Sequence, residues 1–241
     1  MTFKLKTKEL IYFYFLADEM EDSCCDGKIT GSGASEAQVQ VPIHVKRAIR
    51  ALQGPGTVRV YQAFGDEIAA SINASGGKSF GPKFSMNRMS WVKPSFLWMM
   101  YRCGYATKPG QEHVFAIDIK EEGFRYMLEH SVLSESTSKA KDPEAKVLAH
   151  KKVSKSDIRC QWDPERSVKG GPLPIRSVQL GLRRDALKMY VNEWIVSMEE
   201  ITPLVVEMRK LLEEKKDISH LLPKETPYEM SKIAKEIHLV E

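Results

Sequence analysis

Between Arg88 and Glu112 the chain concentrates groups suited to binding an anion. Arg88, Lys93, Arg102 and Lys108 are cationic, Trp91 offers a ring on which a base can stack, and Ser95, Gln111 and Glu112 add a hydroxyl, an amide and a carboxylate. Cations beside a helix start, where backbone N–H groups are free, suit phosphate, and an aromatic face suits a base. Glu112 follows a Lys-Pro-Gly turn and precedes an apolar run, a rigid edge from which a carboxylate can orient a ribose hydroxyl or remove a proton from an attacking group. A plainer reading stands beside this one. Lys93 and Arg102 can lay their stems along a Trp/Met-rich face while their charges stay in water, and a glutamate at a strand start can be a solvated charge.

A second set lies further along. Asp163 and Glu165, within Gln161 to Arg166, are candidate catalytic carboxylates, although Asp163-Pro164 also reads as the start of a turn. Arg176 and Gln179 flank a strand and can serve as ligand donors or as partners of those carboxylates. Arg59 and Tyr61 on an earlier strand, then Ser95, then Gln111 and Glu112, follow an order similar to that of the nicotinamide-nucleotide site of ADP-ribosyltransferases, without matching spacing.

Several familiar chemistries lack their signatures. The six histidines are scattered with no helical i, i+4 pair, and Cys24, Cys25, Cys103 and Cys160 lack the paired spacing of a zinc site, so neither a catalytic nor a structural metal is expected. Gly76-Gly77-Lys78-Ser79 lacks the upstream glycine of a phosphate-binding loop, and there is no G-x-S-x-G elbow or dinucleotide fingerprint.

The elements that must position these residues follow from periodicity. Val58, Val60, Gln62 and Phe64 alternate with Thr57, Arg59, Tyr61 and Ala63 as in a strand, and Asp66 reads as the N-cap of a helix over Glu67 to Ser75, closed by Gly76-Gly77. Pro94 reads as the first turn of a helix whose buried stripe is Leu97, Met100 and Tyr101, with Trp98 and Arg102 on an adjoining face. Val114 to Ile119 reads as a buried strand and Gly123 to His130 as a short helix. Residues 134–157, rich in Ser, Lys and Glu, read as a mobile insert. Ile158 to Trp162 and Arg176 to Leu182 read as strands separated by turns at Gly170-Gly171-Pro172 and Pro174. From Leu187 to Leu212 apolar residues recur at helical spacing, predicting a long C-terminal helical segment interrupted at Pro203.

At 241 residues the chain can bury one sizeable core. It is read as residues 1–40, an appendage with a Gly/Ser-rich linker; 41–212, a single compact α+β domain with a small mixed or antiparallel sheet packed by helices; and 213–241, a helical tail. A net charge of +4 permits an anionic partner without requiring one. Lys4, Lys6 and Lys8 before the apolar Leu10 to Ala17 resemble the start of a signal peptide, but Asp18, Glu19, Glu21 and Asp22 stand where small residues would mark cleavage. No apolar run approaches the roughly 20 residues that span a bilayer. An intracellular setting, cytoplasm or nucleus, is expected.

The run from Arg88 to Arg102 with Ala106 to Glu112, supported by Val60 to Ala63, Gln161 to Arg166, Arg176 to Leu182 and Trp194-Ile195, resembles the DUF4291 family, a domain of unknown function, over residues 43–212. Cys103 stands where a small polar residue is expected. The resemblance implies a compact α+β domain and assigns no catalytic residue, substrate or cofactor. Two functions fit the residues themselves. The first is an enzyme acting on a nucleotide or nucleic acid, by group transfer such as ADP-ribosyl transfer with a nicotinamide dinucleotide, or by phosphodiester processing. The second is a non-catalytic module that binds nucleic acid or peptide on the surface from Trp91 to Tyr101.

Overall fold

Side chains on one strand point alternately to two faces, and the alternation at Thr57 to Phe64 divides two cores between them. The computed structural model describes residues 47–134 and 142–229. Short strands β1 (Arg50–Ala51) and β2 (Gln53–Gly54) lead into β3 (Thr57–Phe64), helix α1 (Asp66–Ala74), β4 (Ser90–Val92), α2 (Phe96–Cys103), β5 (His113–Lys120), α3 (Glu121–Glu129) and β6 (Val132–Leu133). Then come α4 (Pro143–Lys155), β7 (Ile158–Arg166), β8 (Pro172–Leu182), α5 (Arg184–Met189), a π-helical turn (Tyr190–Trp194), β9 (Ile195–Glu200), α6 (Thr202–Glu213), a 3₁₀ turn (Ser219–Leu221) and β10 (Thr226–Pro227). The order mixes strands and helices in an α+β arrangement.

Two four-stranded sheets carry the architecture, in the orders β2-β3-β5-β9 and β4-β8-β7-β6, with a small β1-β10 pair beside them. The first is antiparallel throughout. In the second, β6 runs parallel to β7 and the other pairs are antiparallel. Val58, Val60 and Phe64 of β3, with Phe115, Ile117 and Ile119 of β5, face a core that includes Trp162, Leu180, Leu187 and Tyr190. Tyr61, Val114 and Ala116 face the opposite core, closed by Phe96, Met99 and Met100 of α2 and Val205 and Met208 of α6.

A backbone bridge joins the two sheets. Tyr61 N donates to the Lys93 carbonyl at 2.7 Å, and Lys93 N donates to the Tyr61 carbonyl at 3.3 Å. Next to this bridge the buried Gln62 amide donates to Ser90 Oγ at 2.8 Å and to the Trp91 carbonyl at 3.1 Å, and accepts from Tyr190 Oη at 2.9 Å. A buried amide is tolerated when both of its ends are paired.

Several expectations need correction. The N-cap of α1 is Gly65, and Asp66 is the first helical residue, where its charge suits the helix dipole. Ser95 is the N-cap of α2, its Oγ accepting from Trp98 N, so Pro94 precedes the helix. The buried stripe of α2 is Phe96, Met99, Met100 and Cys103, at i, i+3, i+4 and i+7, while Tyr101 is 42% exposed. Asp163-Pro164 lies within β7, with Pro164 opposite Arg176, and the ladder shifts between Pro164 and Arg166, a place that tolerates the missing N–H. Pro174 is likewise inside β8. Within the expected insert, Pro143–Lys155 forms a helix whose Val147 and Leu148 are exposed.

The largest correction concerns the C-terminal region. Ile195–Glu200 is a strand because it completes the first sheet against β5, with Ile117 opposite Met198 and Phe115 opposite Glu200. The predicted helix is therefore cut into α5, the π-turn and α6. Beyond α6, Thr226 and Pro227 pair with Ala51 and Arg50. The appendage at 1–40, Cys24, Cys25 and the last twelve residues lie outside the described residues. Among the described residues, no helix is long and apolar enough to cross a membrane.

Gly123 shows how tightly the π-turn is seated on α3. A Cβ at Gly123 would overlap the indole of the buried Trp194. Alanine is the better helix former by about 1 kcal/mol, but forcing an extra carbon into a filled core costs about 1–3 kcal/mol. Gly123→Ala is therefore expected to lower stability in urea unfolding. An unchanged or raised midpoint would show that Trp194 is loosely held.

Candidate functional site

A cleft of about 370 Å³ opens beside the junction of the two sheets. Its lining comes from the end of β3, the start of α1, the loop at 81–89, β4, the inward face of α2 and the loop at 109–111. Five of the sequence-predicted residues meet there: Arg88, Trp91, Lys93, Arg102 and Gln111. Lys83 and Gln62 join them, and no Asp or Glu is among the lining residues.

Lys93 is the innermost cation. Its backbone is held by the bridge to Tyr61, and the residue is only 5% exposed. Its Nζ stands 5.1 Å from the centre of the Trp98 ring. Among the described residues, no acceptor lies within hydrogen-bonding distance of this amine and no carboxylate within ion-pairing distance. Burial, reinforced by the Arg102 charge and opposed by Asp163 and Cys103, brings its pKa down to about 7. Little of the Lys93 side chain reaches water, and the residue borders the cleft.

The other cations occupy the rim. Arg102 is exposed and donates to Gln111 Oε1 at 3.2 Å, and Arg88 is exposed with no hydrogen bond or ion pair among the described residues. Lys83 pairs at 3.0 Å with Glu67, both well exposed, a contact of little energetic weight. Trp91 lies across Gly181 of β8, where any Cβ would collide with its ring.

The remaining candidates have partners inside the protein. Arg59 makes two 2.8 Å bonds to Asp118, which raise the guanidinium pKa and lower that of the carboxylate. Tyr61 is buried edge-on to Phe96, and burial pushes its hydroxyl well above the usual range. Ser95 Oγ donates to Glu165 Oε1 at 2.9 Å. Glu165, 4% exposed, also accepts from its neighbour's N–H, and burial still raises its pKa. Lys108 closes the C-terminus of α2 by donating to the carbonyls of Tyr101 and Arg102. Glu112 turns back to accept from Gly110 N at 2.9 Å. Asp163 accepts from Gln161 at 2.9 Å and from Gln179 at 2.5 Å, and Arg176 donates to the Trp162 carbonyl. The cleft thus receives cations and an aromatic wall from the set, while none of the candidate carboxylates lines it.

A family model, DUF4291, a domain of unknown function, matches residues 48–228. The chain belongs to the DUF4291 family. A search of curated proteins finds no match to it. The DUF4291 span holds the whole cleft and runs past the region of resemblance through β10, consistent with the pairing of that strand to β1.

Two DUF4291 residues escaped the sequence reading. Gln62 was visible as the one polar residue on the apolar face of β3, a pattern that signals a satisfied buried amide. Glu225 carried no local signal. Its Oε1 accepts from Phe96 N at 2.6 Å across 129 positions, and burial, with Glu165 nearby, raises its pKa to about 8.

The lowered pKa of Lys93 has a definite sign in stability. Between about pH 7 and 10.5 the unfolded chain holds a proton at this lysine that the folded one does not, so the contribution of Lys93 to stability rises with pH through that window. The full cost of the buried charge is present below pH 7. Lys93→Met, which keeps the volume, should be more stable than the parent at pH 6 by on the order of a few kcal/mol. That advantage should shrink steadily towards pH 10.5, as followed by urea unfolding of both proteins. A difference that is flat with pH would contradict the assignment.

Proposed function

We propose that the cleft binds a phosphate-bearing ligand of nucleotide size and that the protein is an enzyme acting on such a ligand. The observation that carries this reading is the lining: Arg88, Lys93 and Arg102 converge with no carboxylate among the lining residues, while Lys83 at the edge is paired with Glu67. The two arginines beside a lysine that burial pushes towards the neutral form leave the cleft a net positive lining that suits an anion. Arg88 and Arg102, exposed at the rim, have planar donor sets suited to phosphate oxygens. Trp91 and Phe84 supply apolar wall against which a base can lie. A volume of about 370 Å³ is at the small end of ligand sites, so a nicotinamide dinucleotide would place one of its two nucleotides inside.

The concave shape and the buried amine favour an enzyme over a surface that binds nucleic acid or peptide. Tyr101, on which the binding-module reading leaned, has one ring face taken by the Arg166 guanidinium, 3.7 Å from its centre. The group-transfer version draws no support from Arg59, Tyr61, Ser95 and Glu112, whose partners are internal.

Thermal shifts and calorimetry with inorganic phosphate, AMP, a nicotinamide dinucleotide and short oligonucleotides test the proposal. A native-state ligand raises the melting temperature by mass action. AMP or the dinucleotide is expected to bind, and Arg88→Ala and Arg102→Ala should each weaken binding by about tenfold, the loss of one charge-assisted contact. A folded protein that responds to none of the four, or binds AMP equally well without either arginine, would refute it. Affinity for oligonucleotides that grows with length while AMP fails to bind would place the protein with the binding modules.

A further inference from the structure

We propose that Lys93 is a nucleophilic amine that condenses with the carbonyl of a phosphorylated aldehyde bound in the cleft. This rests on the reading of the cleft as a phosphate site and adds a reaction at its floor. The geometry divides the labour between two levels. Arg88 and Arg102 stand exposed at the rim, where a phosphate can sit, and the Lys93 side chain is the cation buried below them.

Three features make that amine available for bond formation. No acceptor or carboxylate among the described residues engages its Nζ, so its lone pair, when unprotonated, is not tied to a structural role. The Trp98 ring beside it is an apolar neighbour that supplies no proton acceptor. The backbone bridge to Tyr61 fixes the start of the side chain on a strand, so the amine is held in place as a positioned reactant must be. Lys83 and Lys120, by contrast, are exposed and sit in ion pairs. Desolvation supports the same assignment, because it leaves a substantial share of Lys93 unprotonated near neutral pH.

The reaction balances without any further reagent. The Nζ lone pair adds to the carbonyl carbon, and the C=O electron pair moves to oxygen, which takes up one of the two protons of the neutral amine. The carbinolamine then loses that oxygen as water while nitrogen gives up its remaining exchangeable proton and the C=N bond forms. Arg102, near the amine, disfavours a positive charge on nitrogen and so limits the protonated amine that cannot react.

The full chain is incubated near neutral pH with pyridoxal 5′-phosphate, or separately with ribose 5-phosphate, then reduced with borohydride and mapped by peptide mass spectrometry. The expected result is label at Lys93 in excess of Lys83 and Lys108 by on the order of tenfold. Pyridoxal lacking the phosphate should label Lys93 far less, added AMP should protect it, and Lys93→Arg, with its fold checked by circular dichroism, should lose the imine absorbance. Label at Lys93 and nowhere else with both aldehydes would extend the site to sugar phosphates, and label with pyridoxal phosphate alone would restrict it to a ring-bearing aldehyde. Label spread over exposed lysines with Lys93 spared overturns the proposal, and an AMP-induced thermal shift in that same protein leaves the phosphate cleft standing. Lys93 labelled equally by pyridoxal with and without phosphate, and no AMP shift, fails the phosphate reading instead.

Discussion

Tyr61 and Lys93 exchange two backbone hydrogen bonds, and the rest of the molecule is arranged around that contact. It is the seam between the two sheets. On one side β3 continues into β5 and β9, and on the other β4 continues into β8, β7 and β6. Gln62 reinforces it through Ser90, Trp91 and Tyr190, linking both sheets to the π-turn. The same seam sends Tyr61 into the core under α2 and carries Gln62 and Lys93 to the lining of the cleft. A buried polar network of this kind is stabilising only when complete, which ties the shape of the cleft to the integrity of the sheets.

The seam also explains how a lysine remains buried without a counter-ion. Removing an ammonium group from water is costly unless it is paired, and the usual response is loss of the proton. Lys93 follows that route: its pKa falls to about 7 and the two surrounding cores supply the stability that its burial withdraws. Arg59 shows the other solution on the same sheet face, with a bidentate bond to Asp118. Glu165 and Glu225 show a third, in which buried carboxyl groups accept from Ser95 and from the first N–H of α2. Set against these paired groups, an amine that lines the cleft with no hydrogen-bond or ion-pair partner among the described residues is a departure of the kind that concentrates at functional sites.

Much of the site was legible because it is local. Arg88, Trp91, Lys93, Arg102 and Gln111 fall within one strand, one helix and their flanking loops, so proximity in sequence became proximity in space. The strands at Thr57, His113, Ile158 and Arg176 were visible from alternation and β-branched composition. Non-local pairing was not. Ile195, Val196 and Met198 satisfy a helical spacing as well as a strand's, and the free edge of β5 decides between them. The same limit hid the Glu225 contact and misassigned the faces of α2, where Tyr101 turns outward because the opposing core accepts Phe96, Met99 and Cys103. Of the residues read as catalytic from their chemistry, Glu112 is taken up by Gly110 two positions away, whereas Asp163 and Glu165 also meet Gln179 and Ser95, which the fold brings near.

The central claim concerns the protonation of one amine and what sits above it. Titrating the Lys93 Nζ directly, by NMR of isotopically labelled lysine with Lys93→Arg used to assign the signal, measures it without a turnover assay. A midpoint near pH 7 in the free protein, moving upward when AMP fills the cleft, is the predicted result. A midpoint near that of ordinary solvated lysine, unmoved by AMP, would contradict both the buried amine and the anion site built around it.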